Sequence, residues 1–157
     1  MKKFSHVSAK NRPRMVDVGA KTATRREAVA ESVVKLPAAV AKLLRGGEIR
    51  GPKGPVIQTA IVAGTMAVKN TASLIPFCHP LPIEGCDFDI RLAGRKVVIR
   101  CRVSAVHKTG VEMEALVGAS ASALTVYDMC KAVSPEIMIE RTRLLRKTGG
   151  KRDYAAR

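Results

Sequence analysis

Residues 109–134 read TGVEMEALVGASASALTVYDMCKAVS, and the reading of this stretch decides the fold. Nearly all of its residues are good helix formers, a Thr-Gly turn signal opens it, and no proline occurs before Pro135. One long helix is therefore predicted. Four charges interrupt its apolar run: Glu112, Glu114, Asp128 and Lys131. At ~100° per residue, Glu114, Asp128 and Lys131 fall within an arc of roughly 100°. Val117, Ala121 and Leu124 form the floor between them. A helix apolar on most sides is expected to be buried, and charges on a buried helix are paired or used. The Asp128–Lys131 spacing of i,i+3 admits two readings, a structural ion pair and part of a site. Helix length adds a constraint, because Glu114 and Asp128 lie about 21 Å apart along the axis. They cannot share one small-molecule site within a single subunit. If both act, a second copy of the chain brings them together, and Gly118, Ala119, Ala121 and Ala123 permit a close approach of helices.

Working outward, the 157 residues suit one domain with a real core. Hydrophobic residues make up 46% and charged residues 26%, ordinary values for a globular protein. No stretch combines a basic start, an apolar run and a cleavage site, and none has the length of a membrane span. A cytoplasmic protein is expected. Cys78, Cys86, Cys101 and Cys130 form no CxxC pair and have no zinc-finger histidines, so free thiols are expected rather than a metal site. The formal net charge of +15 calls for an anionic partner or substrate. Aromatic residues make up only 3% and tryptophan is absent, which disfavours stacking on single-stranded nucleic acid.

Residues 1–14 read as a flexible basic arm, 15–148 as a single domain and 149–157 as a flexible basic tail. Met15–Val18 suggests a short strand, and residues 26–36 a longer one. Pro37 suits the first position of a helix running through AAVAKLLR to Gly46-Gly47. Gly51 to Pro55 then reads as an irregular exposed loop presenting Lys53, without the Walker A pattern. Val56–Lys69 reads as a second helix, apolar on nearly every face and so buried. In SLIPFCHPLP, Pro76, Pro80 and Pro82 restrict the backbone that carries Cys78 and His79. A histidine held this way can bind phosphate or move protons. Phe88, Ile90 and Leu92, then Val97, Ile99, Cys101 and Val103, alternate about Ala93-Gly94-Arg95-Lys96 as a β-hairpin does. Glu136–Arg146 closes the list as a last strand. The order strand–helices–strand–strand–helix–strand predicts an α+β ferredoxin-like sandwich, one antiparallel sheet with helices packed on one face.

Three stretches, LIPFCHPL, TGVEMEAL and LTVYDMCKAV, together with MVDV near the start and KTGGK near the end, resemble the molybdenum cofactor biosynthesis protein C (MoaC) family. The likeness runs in order from Met15 to about Lys151. It implies a lyase acting in molybdenum cofactor biosynthesis, converting 3′,8-cyclo-7,8-dihydro-GTP to cyclic pyranopterin monophosphate and diphosphate. It also implies a hexamer built as a trimer of dimers, with each site between two subunits. The resemblance makes Asp128 the catalytic acid/base, with Lys131 and Lys53 beside it in the chemistry. It makes Phe77, Cys78, His79, Met113, Glu114, Arg26 and Lys147 substrate contacts. Two positions depart from the family pattern, Phe77 where Leu or Met is usual and GGKRD where GGKSG is expected. No dedicated cofactor or metal is implied, and magnesium carried in on the substrate phosphates is compatible with these residues. A basic RNA-binding α+β protein is the rival reading, and it leaves Asp128 beside Lys131 unexplained while lacking RRM-type aromatics. Neither nucleic acid nor membrane is an expected partner.

Overall fold

The computed structural model of the chain describes residues 12–156. Four long strands make the sheet: β1 (Thr24–Lys35), β5 (Gly85–Ala93), β6 (Lys96–His107) and β7 (Met138–Thr148). Helix α2 (Val56–Lys69) connects β1 to β5, and α4 (Glu112–Cys130) connects β6 to β7. With the short strand β8 (Tyr154–Ala155) added at one edge, the strand order is β5-β6-β1-β7-β8, with every pairing antiparallel. This is the ferredoxin-like α+β arrangement expected from the sequence, with the two long helices on one face of the sheet.

Alternation explains which face is covered. Val97, Ile99, Cys101, Val103 and Ala105 point inward from β6, and Ala28, Ala30 and Val34 from β1. They meet Val56, Ala60 and Val68 of α2 and Ala115, Ala119, Ala123 and Val126 of α4. The helices approach closely because small residues stand at their crossing. A Cβ on Gly64 would lie 2.5 Å from Phe88 Cζ, and one on Gly118 would lie 2.6 Å from Val68 Cγ2. Ser122 Oγ donates to the Ala60 carbonyl at 2.9 Å and ties the two helices where they touch. Glu48 supplies the start of α2, accepting from Ile57 N–H at 2.7 Å and Gln58 N–H at 3.2 Å. A carboxylate there also suits the helix dipole.

Several local expectations change. Met15–Val18 forms no strand. The helix expected after Pro37 is one turn, α1 (Ala38–Ala41). The chain then turns back through β2 (Leu44–Arg45) and β3 (Glu48–Gly51), because Gly46 and Gly47 adopt φ of 55° and 82°. Gly51–Pro55 is not irregular either, since β3 pairs with β4 (Gly54–Pro55) and Gly54 at φ 104° closes the hairpin. A short helix, α3 (Thr71–Leu74), follows α2. Within residues 149–157, β8 (Tyr154–Ala155) pairs with Arg146 and Lys147, so part of the expected tail belongs to the sheet. The arm at 1–14 lies almost wholly outside the described residues.

Neither long helix is buried all round. Val62 and Met66 of α2 are each 60% exposed and Leu124 of α4 is 61% exposed. The helical layer therefore presents an apolar outer surface that no described residue covers. Among the described residues no helix is long and apolar enough to cross a membrane.

Candidate functional site

The residues singled out from the sequence gather at the two ends of α4. At its N-terminal end, a cavity of about 380 Å³ is lined by Phe77, Cys78, His79, Met113 and Glu114, with Val16, Val18 and Leu81 closing its apolar side. The proline-bracketed segment forms one wall, tightened by Cys78 N–H donating to the Ile75 carbonyl at 3.0 Å. The first turn of α4 forms the other wall. Glu114 is only 4% exposed. Burial first, then the neighbouring Glu112, raises its pKa above the ordinary carboxyl range. Burial and the Glu114 charge likewise push the Cys78 thiol up, so it is not set up as a thiolate nucleophile.

A second cavity of about 220 Å³ adjoins the first and shares Lys21, Thr109, Gly110 and Glu112 with it. Its walls add Arg26, Lys108, Lys147 and Lys151, so the groove runs from an apolar, proton-handling end to a cationic one. Sheet topology produces this gathering. Strands β6 and β7 both run antiparallel to β1, so their C-terminal ends flank its beginning. Arg26 at the start of β1 donates through Nε to the His107 carbonyl at 3.1 Å. Lys147 Nζ lies 2.8 Å from Glu112 Oε1. Gly149, at φ 81°, passes so close to the Arg25 carbonyl that any Cβ would collide with it. Sequence reasoning missed Lys21 and Lys108 as lining residues. The tripeptide Lys-Thr-Gly occurs at 108–110 and again at 147–149, and that repeat was the available signal.

Lys53, Asp128 and Lys131 meet at the other end of α4. Lys53 Nζ lies 2.7 Å from Asp128 Oδ2, and Lys131 Nζ lies 2.8 Å from Asp128 Oδ1. The β3–β4 hairpin reaches α4 because Gly51 lacks a side chain, as a Cβ there would sit 3.3 Å from the Met129 carbonyl. Lys131, then Lys53, holds the Asp128 carboxyl down at about 2, and Asp128 in turn raises the Lys131 pKa. The expectation of a buried pair is corrected, because the Asp128 and Lys131 side chains are each 52% exposed. They stand on the outer face of α4, which no described residue covers.

The structure thus unites Arg26, Lys147, Phe77, Cys78, His79, Met113 and Glu114 in one groove and Lys53, Asp128 and Lys131 in a separate cluster. Fourteen residues of helix, about 21 Å of rise, separate Glu114 from Asp128. Ala121 stands midway on the same face, half-buried and small. Among the described residues no group of three or more His, Cys, Asp or Glu side chains is placed to hold a metal ion.

The sequence profile described as the MoaC family matches residues 15–150. The cyclic pyranopterin monophosphate synthase of Xanthomonas oryzae pv. oryzae (strain MAFF 311018) is 57% identical over 155 residues, covering 98% of this chain and 94% of that protein. The synthase of the same name from Pelotomaculum thermopropionicum is 46% identical over 153 residues, covering 96% and 89%. A molybdenum cofactor biosynthesis bifunctional protein of Synechocystis sp. is 56% identical over 157 residues, and this chain spans 45% of its length.

Proposed function

The chain belongs to the MoaC family, and from that premise we propose that it catalyses the cyclic pyranopterin monophosphate synthase reaction of molybdenum cofactor biosynthesis. Its substrate on this reading is 3′,8-cyclo-7,8-dihydro-GTP, and its products are cyclic pyranopterin monophosphate and diphosphate. The observation that carries the reading is the groove itself, where a buried carboxyl and a constrained histidine adjoin a cavity walled by Lys21, Arg26, Lys108, Lys147 and Lys151. The substrate has the same polarity, a ring to be rearranged at one end and a triphosphate at the other.

The chemistry asks for these residue types. The purine-derived ring opens and re-closes as a pyranopterin through proton transfers with no net redox change. Glu114, protonated above the usual carboxyl range, and His79 are placed for proton movement at the ring. A sugar hydroxyl attacks the α-phosphorus, its proton leaves to a base, and the bond to the diphosphate breaks. Arg26 and Lys147 offset charge growing on the phosphate oxygens. Asp128, with Lys131 and Lys53, supplies the second acid/base group. No resident cofactor is part of this reading, and magnesium would arrive with the triphosphate.

Because α4 holds its two functional ends about 21 Å apart, the complete site takes the groove of one copy and the Asp128 cluster of another. Two α4 helices packed antiparallel about Ala121 bring these together and cover Leu124, Val62 and Met66. A dimer of this kind is the unit of the hexamer, and the protein works in the cytoplasm. Incubation with the cyclised GTP derivative, followed by chromatography for pyranopterin and diphosphate, tests the activity. A folded protein that yields neither product refutes it.

A further inference from the structure

Two of the four cysteines stand side by side under the helical layer. Cys86 is the second residue of β5 and pairs with Val103, while Cys101 on β6 pairs with Phe88. Both side chains pack into one apolar cluster on the helix side of the sheet, on adjacent strands and one step out of direct opposition. Cys101 is fully buried beneath α4, where a Cβ on Gly118 would lie 2.8 Å from its Sγ. Cys86 is half-buried, on an edge strand that pairs with β6 alone among the described residues. The two thiols are hydrogen-bonded, Cys101 donating to the Cys86 sulfur. The Thr65 hydroxyl of α2 donates to the Ile61 carbonyl at 2.9 Å and also lies within reach of that sulfur. Neither cysteine belongs to the groove or to the Asp128 cluster.

We propose that Cys86 is a site of oxidation by small hydroperoxides, with Cys101 as the thiol that closes the oxidised sulfur into a disulfide. Donors aimed at a sulfur stabilise its thiolate, and a part-exposed thiolate beside a second thiol is the arrangement of a redox-responsive cysteine. Electrostatics agree. The Cys101 hydrogen bond first, with Thr65 after it, outweighs burial and the Asp87 charge, so the Cys86 thiol is held below the ordinary thiol range. Burial pushes the Cys78 and Cys130 thiols up. The chemistry balances. The Cys86 thiolate attacks one peroxide oxygen, the O–O bond breaks as an S–O bond forms, and the departing oxygen takes up a proton. Sulfur gives up the electron pair that the peroxide gains. The Cys101 sulfur then attacks the Cys86 sulfur, an S–S bond replaces the S–O bond, and the Cys101 proton leaves with the hydroxyl as water.

Local structure lets that bond form and gives it an effect. Diagonal partners on antiparallel strands have Cα atoms roughly 7–8 Å apart, whereas a disulfide spans at most about 6.8 Å. Closure therefore shifts the start of β5, and an edge strand that begins at Gly85 has one paired neighbour to resist the shift. The movement does not stay local. Phe88, two residues on, fills the crossing of α2 and α4, with Gly64 and Gly118 both against its ring. Upstream, Leu81 packs in the same apolar cluster as Cys86 and also lines the groove. Oxidation of the pair thus displaces a groove wall and slows turnover without altering any group assigned to the chemistry.

The test treats the intact protein with hydrogen peroxide, blocks the remaining thiols with iodoacetamide and maps the peptides by mass. A Cys86–Cys101 disulfide is expected before any oxidation at Cys78 or Cys130, and dithiothreitol should reverse it. Without peroxide, iodoacetamide at neutral pH should label Cys86 at least about tenfold faster than Cys78 or Cys130. Cys101→Ala should slow that labelling several-fold, and under peroxide it should leave a sulfenic acid on Cys86 that dimedone traps. Cys86→Ser should keep its basal turnover and lose the reversible inhibition by peroxide. Labelling of Cys78 as fast as Cys86 overturns the reactive site. A disulfide joining two copies through Cys86, or Cys86 driven to the sulfinic acid with Cys101 still free, overturns the role of Cys101. Equal inhibition of Cys86→Ser overturns the link to the groove. The mass measurements need no turnover, so they stand or fall apart from the enzymatic reading.

Discussion

Mixing two inactive variants gives the most direct measure of whether the site is shared. Glu114→Ala removes the buried carboxyl of the groove, and Asp128→Ala removes the acid at the far end of α4. Each alone should lose at least ~10²-fold in turnover, the usual scale for general acid–base groups. In a dimer with one copy of each, one site receives both alanines and the other receives Asp128 and Glu114 intact. Random reassembly of equal amounts makes half the dimers mixed, with half their sites complete, so about a quarter of wild-type activity should return. The rise from about 1% to about 25% is far outside assay error. The experiment needs partial denaturation, refolding together, a melt to verify folding, and turnover on the cyclised GTP derivative. A mixture that stays at the average of its parents refutes the geometry. So does full activity in a species that sediments as a monomer.

Three further outcomes follow from specific contacts. Asp128→Asn keeps the shape of the side chain, and its two lysine partners are half in water, so the melting temperature should move by less than about 2 °C while turnover falls at least ~10²-fold; a large melt shift with turnover retained would make the cluster structural. Gly64→Ala forces a Cβ to 2.5 Å from Phe88 Cζ, an overpacking cost of ~1–3 kcal/mol only partly offset by ~1 kcal/mol of helix propensity, so a thermal melt should show net destabilisation and an increase would contradict the α2–α4 packing. Glu114 has a raised folded pKa, so its contribution to stability is full below the ordinary value of 4.5 and is lost as pH rises through the folded value; Glu114→Gln should match wild type in acid and exceed it in denaturant melts at higher pH, and parallel curves at all pH would place Glu114 in water.

The parts of the fold legible in the sequence are those where one physical signal had no competitor. Alternation in 88–92 and 97–103 about Gly94 specified the hairpin, and Gly94 indeed adopts φ 59°. The helix at 112–130 was readable from composition alone. Residues 37–46 misled because Pro37 is a valid helix start, whereas the glycine pair only shows its effect through Leu44 pairing with Ile49. Burial of the helices was over-read for another reason. Leu124, Val62 and Met66 are apolar yet exposed on the single chain, and hydropathy does not distinguish a core from an exposed apolar face. The Lys53–Asp128 contact joins residues 75 apart, which no spacing rule reaches; family likeness named the two residues but not their contact. Lys21 and Lys108 were hidden because convergence of strand ends is a property of topology.

Exposure of the Asp128 cluster carries a consequence for the proposed chemistry. With Lys131 and Lys53 at 2.8 and 2.7 Å, the carboxylate sits at about 2, far below the range in which a group exchanges protons efficiently at neutral pH. Two changes move it toward that range, and both accompany an occupied dimer. Covering the outer face of α4 removes water from around the carboxylate, which raises its pKa. A triphosphate entering beside the cluster competes for the two lysines, and each ammonium drawn away removes one of the interactions holding the carboxylate ionised. On the proposed reading, Asp128 would therefore gain its acid/base role only when a second copy and an anionic substrate are both in place.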